Sequence, residues 1–388
     1  MNFLLKEIKE EFALKSLQEV GFDRTYQEKA FHKYNFKLFK IFSLTPQQAS
    51  VLKQTALACG CDCAVHREVI TCKIDKTDAV LGGSVAQIRQ IAQKLKSQPF
   101  SLSKLADDLL LQLDSIKTSI SLRGKVLDWS ETYLMGILNV TPDSFSDGGK
   151  YFSLEEALAQ AEELAKYSDI IDIGGESTRP YAEKVDVKEE IKRIVPVITS
   201  IREQGIALPI SADTRNAETA KAALSAGADI VNDISGGSWD FSMLDVVAEF
   251  QVPFILMHTL GSPDTMQQNP CYERVVDEIY QDLSAKIENA VKKGVSRDKI
   301  IVDIGIGFGK TKEHNFELLR RVEEFKSLGC PLLVGVSRKS FMTESESIED
   351  KDTATLAVNS VLASRGVDIL RVHNPQAHKK VLGIIDRL

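Results

Sequence analysis

The sequence has no run of about 18 apolar residues, the length a membrane-spanning helix needs. It reads as a chain with no membrane partner. Cysteine is scarce, at 6 in 388 residues, too few for a disulfide framework. Basic residues do not dominate: 48 Lys and Arg stand against 55 Asp and Glu, a net charge of −7. That argues against a nucleic-acid partner, which calls for a basic stripe to match its phosphates. Small anions need only a local basic pocket and stay open. The 23 Gly and 11 Pro are dispersed, so general disorder is excluded. Residues 1–12 mix Lys6 and Lys9 with Glu7, Glu10 and Glu11, which breaks the apolar segment of a signal peptide. The expectation is a cytoplasmic protein.

What is present is enough apolar material, 43% of residues, for a sizeable core. The composition shifts near residue 128, which predicts two domains, 1–128 and 129–388. Beyond the shift, short apolar runs recur at 134–138, 170–173, 209–212, 230–231, 253–257, 300–302, 331–334 and 369–370. Between them lie stretches with helical spacing, among them 154–167, 187–202, 217–226, 272–293, 316–325 and 353–364. Apolar strands alternating with helices imply parallel strands buried on both faces. The expected fold class is α/β: a (β/α)8 TIM barrel preceded by a small α/β domain, with a doubly wound open sheet as the alternative. In residues 1–128 the pattern predicts a strand over 36–44 and a helix over 47–58, capped by Thr45 with Pro46 in its first turn. A hairpin or strand pair over 61–75, a helix over 85–96 and a connecting helix over 102–113 complete that domain.

In such a barrel the active site gathers at the C-terminal strand ends. Those ends carry Asn139, the Gly174-Gly175-Glu176-Ser177-Thr178-Arg179-Pro180 loop, Asp213, Asn232, His258, Asp303, Ser337-Arg338-Lys339, and Arg371 with His373. Any one of these reads as a cap or turn residue; eight successive polar ends do not. Asp213, Asn232 and Asp303 offer carboxylate and amide edges suited to a flat heterocycle rich in N–H and C=O groups. Arg179, Lys339, Arg371 and His373 would gather positive charge for a phosphate or pyrophosphate. The glycine run from Gly305 to Thr311 has Ile304 where a P-loop needs its first Gly, and lacks the third Gly of a dinucleotide fingerprint. Its glycines are expected to let a loop pass close to a ligand.

Several runs, in order, resemble the dihydropteroate synthase family. They are Met135-Gly136-Ile137-Leu138-Asn139-Val140-Thr141-Pro142-Asp143-Ser144-Phe145-Ser146-Asp147-Gly148-Gly149 and Asp172-Ile173-Gly174-Gly175-Glu176-Ser177-Thr178-Arg179-Pro180, then Ser211-Ala212-Asp213-Thr214 and Val231-Asn232-Asp233-Ile234. Leu256-Met257-His258, Gly307-Phe308-Gly309-Lys310, Gly335-Val336-Ser337-Arg338-Lys339-Ser340 and Arg371-Val372-His373 follow. The resemblance implies that 4-aminobenzoate displaces pyrophosphate from (7,8-dihydropterin-6-yl)methyl diphosphate in folate synthesis. It implies that Asp213, Asn232, Asp303 and Lys339 hold the pterin, with Met257 among the substrate-binding residues. Asn139 would bind Mg²⁺ beside the diphosphate, with Arg371 and His373 on the diphosphate oxygens. Thr178, Arg179 and Pro180, with Phe145, Phe308 and Ser337, would form the aminobenzoate side; the roles taken as catalytic fall on Arg179, Lys339, Arg371 and His373. Sulfonamides would compete with 4-aminobenzoate, and a homodimer is the expected assembly.

The chain departs from the family pattern at Ile304, Ile306, Arg215 and Asn374, none of them a proposed ligand-contacting side chain. Two other readings stay open: a methyltetrahydrofolate-dependent corrinoid methyltransferase sharing the pterin-binding barrel, and a pterin-binding protein without catalysis. In the N-terminal domain, Cys59, Cys61 and Cys63 would share one face of a strand, with His66 and Cys72 nearby. Their spacing is not that of zinc knuckles, and cysteine often serves as a small core residue. A packing or oligomer-contact role is expected there, with no stoichiometric zinc.

Overall fold

The computed structural model describes residues 4–114, 117–141, 154–176, 185–261 and 269–387. Contacts divide the chain into two compact units, residues up to 116 and residues from 117 onward.

The first unit runs α1 (Ala13–Glu19), α2 (Gln27–Tyr34), β1 (Phe36–Leu44), α3 (Pro46–Leu57), β2 (Asp62–Val65), β3 (Thr77–Ser84), α4 (Val85–Leu95) and α5 (Leu102–Asp114). Its sheet is antiparallel in the order β1-β3-β2. The start of α3 follows from its sequence: Thr45 Oγ1 accepts from the Gln48 N–H at 3.3 Å, and the Gln48 side chain accepts from the Thr45 N–H at 2.9 Å. This capping box satisfies two donors that a helix start otherwise leaves bare. Ser84 and Gln87 repeat the device on α4, whose Ile88, Ile91, Ala92 and Leu95 then point into the core with Leu52, Leu81 and Cys63. Of the hairpin or strand pair expected over 61–75, only one strand, β2, forms within that span. β2 pairs instead with β3, a strand whose two glycines hid it from the apolar pattern. Because β2 begins at Asp62, only Cys63 of the three cysteines lies on a strand, so the shared face does not form.

The second unit opens with a hairpin, β4 (Ile120–Leu122) and β5 (Lys125–Leu127). Its two turn residues, Arg123 and Gly124, both have positive φ, at 47° and 80°, as a tight primed turn requires. The barrel follows: β6 (Tyr133–Asn139), α6 (Leu154–Ala165), β7 (Ile170–Gly174), α7 (Val187–Glu203), β8 (Ile210–Asp213), α8 (Ala217–Ser225), β9 (Ile230–Asp233), α9 (Met243–Phe250), β10 (Phe254–Met257), α10 (Val275–Lys292), β11 (Ile300–Asp303), α11 (Lys312–Arg320), β12 (Leu332–Val334), α12 (Ile348–Ser364), β13 (Ile369–Val372) and α13 (Pro375–Ile385). Strands β6 to β13 pair in parallel and close, so the sheet is a barrel and not an open doubly wound one. The helix expected over 316–325 is α11, which ends at Arg320 and is followed by a 3-10 stretch, Val322–Leu328. The helix expected from 353 begins at Ile348, where Ser347 caps it.

Strand side chains alternate with period two, and this sorts the barrel into an outer and an inner set. Leu134, Ile171, Ile210, Val231, Leu256, Val302, Val334 and Leu370 pack under the helices. Met135, Ile170, Ile230, Ile255, Ile301, Leu333 and Ile369 fill the inner floor at the N-terminal strand ends, where Ile120, Leu127 and Tyr133 join them. The hairpin thus belongs to the barrel's hydrophobic core, and that moves the division between the units ahead of the composition shift at 128.

Candidate active site

Two residues further along β7, β9, β11 and β13, the same inner positions turn polar. Ile170 is followed by Asp172, Ile230 by Asn232, Ile301 by Asp303, and Ile369 by Arg371 and then His373. The register sets Asn139 beside Gly174, Gly174 beside Asp213 and Asp213 beside Asn232, a row along one rim. Met257 stands next to Asp303 in the same way. The row of sequence-predicted residues at the strand ends is therefore contiguous in space.

Asp172 sits below that row and is fully buried. Its carboxylate accepts from Arg371 Nε at 2.6 Å and from Asn232 Nδ2 at 3.2 Å. The other end of the Arg371 guanidinium donates from Nη2 to Asp213 Oδ2 at 2.5 Å. Arg371 is thus clamped between two carboxylates, a fork geometry that lysine could not supply. Burial pushes the Asp213 carboxyl up to about 7; Arg371 pulls it the other way, and Asp172 adds to the rise. Burial also raises Asp303, against the Gly305 N–H, which donates to it at 2.7 Å, and against the charge of Lys339. Asp172 escaped the reading of strand ends because it lies two residues inside its strand. The period-two alternation from Gly174 was the available signal.

Lys339 is held at about 8, lowered by burial and supported by Asp303. Its ammonium donates to the Ile306 carbonyl and lies 4.5 Å from the ring centre of Phe308, a cation–π contact. Ser337 Oγ accepts from the His373 N–H at 3.1 Å and lies 2.8 Å from His373 Nδ1. The pair holds the His373 ring in place at the rim of the site. Between these two side chains stands Arg338, at φ 58°. Its guanidinium meets Asp352 in two bonds of 2.6 and 2.9 Å, and Asn374 Nδ2 reaches the same carboxylate at 3.3 Å. The Ser337-Arg338-Lys339 triplet therefore divides its labour: its outer members face the site and the middle one ties the loop to α12.

Two of the three glycines from 305 to 309 meet protein backbone, and the third, Gly307, meets Lys339. A Cβ on Gly305 would stand 1.9 Å from the His258 carbonyl, and one on Gly309 would stand 2.7 Å from Leu260. The loop presses on the backbone after β10, and only glycine allows that approach. Phe145, Thr178, Arg179 and Pro180 lie outside the described residues. Among the described residues no group of three His, Cys, Asp or Glu could hold a metal ion by itself.

Residues 135–373 match the family described as pterin binding enzyme. A dihydropteroate synthase from Synechocystis is 46% identical over 268 residues, which is 68% of this chain and 92% of that protein. The chain belongs to the dihydropteroate synthase family. A solved family structure, the Xanthomonas albilineans dihydropteroate synthase with 4-aminobenzoic acid, superposes with a TM-score of 0.64 at 38% identity, covering 69% of this chain and 96% of that one. A longer relative, a probable bifunctional folylpolyglutamate synthase/dihydropteroate synthase from Halobacterium salinarum, is 43% identical over 330 residues. This match takes in 84% of the chain, more than the barrel unit supplies, so it extends into the N-terminal unit. The chain spans 40% of that relative's length. The N-terminal unit, which the family motifs in the sequence do not reach, is thus shared in part with a multidomain family member.

Proposed function

We propose that the protein is a dihydropteroate synthase, a transferase of folate biosynthesis that joins 4-aminobenzoate to (7,8-dihydropterin-6-yl)methyl diphosphate and releases pyrophosphate. The observation that carries this is the adjacency of two chemistries: the Asp172-Arg371-Asp213-Asn232 layer for a polar heterocycle, and Lys339 with the Ser337–His373 pair for an anion.

Asp213, Asn232 and Asp303 present acceptors and an amide to the pterin edge, and Met257 offers it an apolar surface. The bond that breaks joins the exocyclic methylene carbon to the diphosphate oxygen, and the bond that forms joins that carbon to the arylamine nitrogen. The diphosphate leaves with the bonding electrons, and the amine proton passes to solvent. His373 and Lys339 stabilise the charge that develops on the leaving group. The pterin ring spreads the positive charge left on the methylene carbon, so the enzyme's task is to orient a weak nucleophile rather than supply a strong base. Phe308, beside Lys339, supports the aminobenzoate side.

Mg²⁺ keeps most of its waters and is commonly held by one or two protein groups plus substrate phosphates. The neutral Asn139 amide at the rim suits a Mg²⁺ that arrives with the diphosphate; the ion would supply charge neutralisation there. Pyrophosphate release that requires both substrates is the expected result and is competitively blocked by sulfonamides. Methyl transfer from methyltetrahydrofolate to a corrinoid without pyrophosphate release would overturn the assignment.

A further inference from the structure

A lysine ammonium is among the costliest groups to bury, and it is rarely buried without a charged partner. Lys310 is only 3% exposed. The partners of its Nζ are uncharged: the Gly305 carbonyl at 2.8 Å, the Phe308 carbonyl at 2.9 Å, His258 Nδ1 at 3.0 Å and the His258 carbonyl at 3.5 Å. Ion pairing therefore does not account for a lysine here, and neither does apolar packing. Its three or four bonds account for it, because together they close one turn of chain.

That turn is tightly specified. The Phe308 N–H donates to the Gly305 carbonyl at 3.1 Å, the Gly307 N–H donates to Asn315 Oδ1 at 2.7 Å, and the Tyr272 hydroxyl donates to the Gly309 carbonyl at 3.0 Å. On its outer side the Ile306 carbonyl accepts from Lys339, and the Phe308 ring lies beneath the same ammonium. One lysine grips the turn from within the protein and the other from within the site. The inner grip also fixes the turn to His258, at the end of a different strand.

We propose that Lys310 is a positioning residue of the synthase, setting the Phe308 ring beneath Lys339 and so shaping the arylamine side of the site. This rests on the synthase reading above. Lys310 touches no substrate. It acts through the turn, whose one bond to the pterin-holding residues of β8, β9 and β11 is the Gly305 N–H on Asp303, while Asp213 and Asn232 are held by Arg371 and Asp172 instead. The loss should therefore fall mainly on one substrate.

The test is Lys310→Met, close in length and without a donor, measured in the full chain beside Phe308→Leu and the double variant. Lys310→Met should raise KM for 4-aminobenzoate about tenfold while KM for the pterin diphosphate moves less than about twofold. The double variant should be no worse than the poorer single one, because both changes act through the same ring. Equal KM rises for both substrates, or a strictly additive double variant, would overturn the role. Removing a buried ammonium need not lower stability. If Lys310→Met yields no folded protein, His258→Leu removes one acceptor and leaves the loop carbonyls bonded. It should shift the same KM in the same direction, and an unchanged KM overturns the proposal. Amide hydrogen exchange at Phe308 reads the turn without substrate: faster exchange in either variant supports the role, and unchanged exchange overturns it. Wild-type turnover, run in parallel, tests the synthase reading separately.

Discussion

Asp172 and Arg371 are 199 residues apart in the sequence and 2.6 Å apart inside the barrel, where the fully buried carboxylate meets the guanidinium Nε. The same carboxylate takes the Asn232 amide, so a single side chain fixes two residues of the candidate site. Arg371 in turn bridges to Asp213, and the four groups behave as one unit.

Asp172→Asn keeps the shape and removes the charge. A buried ion pair that loses one partner strands the other, and the expected loss of stability is about 3 kcal/mol. Affinity for the pterin diphosphate should fall with it. Urea denaturation and substrate titration of the purified variant check both; stability within error of wild type would show that Arg371 leans on Asp213 alone.

The Asp213 carboxyl gives a pH signature. Its value in the folded protein, about 7, lies above the ordinary 3.8, so the folded state binds this proton more tightly than the unfolded chain. Its contribution to stability is complete below 3.8 and is lost as pH rises through 7. Ring N–H groups need the ionised form as acceptor, so kcat/KM for the pterin substrate should climb across that same upper limit. In Asp213→Asn the fall in stability between those two values should vanish. A slope identical to wild type would assign it to another group.

The hairpin β4–β5 makes a prediction about boundaries. Its Ile120 and Leu127 are buried in the barrel floor, and Lys117 and Lys125 pair with Asp368 and Asp169 at 2.5 Å each. A fragment of residues 117–388 should fold and retain synthase activity. Starting at 129 instead removes that cover and should cost about 3 kcal/mol, the burial of two large apolar side chains. Thermal melts of the two fragments decide it, and equal melting points would count against the hairpin as part of the barrel.

The brace at Arg338 should matter for anions. Asp352→Ala releases the bidentate pair that holds the loop between Ser337 and Lys339, with an expected loss of about 1 kcal/mol in stability. Pyrophosphate affinity, measured by calorimetry, should weaken as the two flanking side chains lose their fixed spacing. Unchanged affinity would mean that the Ser337–His373 bond alone is enough to order the loop.

The sequence by itself determined the alternation of apolar strands and helices, the polar residue at each strand end and the helix cap at Thr45. These are local properties: a period of two, a period near 3.6, and a side chain reaching three residues along its own chain. With the motif runs, they were enough to predict the barrel and to place Asp213, Asn232, Asp303, Lys339, Arg371 and His373 in one site. The tertiary structure decided what those residues lean on. Nothing local marks Asp172 as the partner of Arg371, or His258 as the partner of Lys310, because each pair is brought together only when the barrel closes. The pairing of β2 with β3 was hidden for a related reason: Gly82 and Gly83 supply no side-chain pattern, and the strand exists through bonds to β1 and β2 on either side. The hairpin at 120–127 looked like the tail of the first domain because its composition is ordinary. Only the packing of Ile120 and Leu127 against the floor shows that it completes the second.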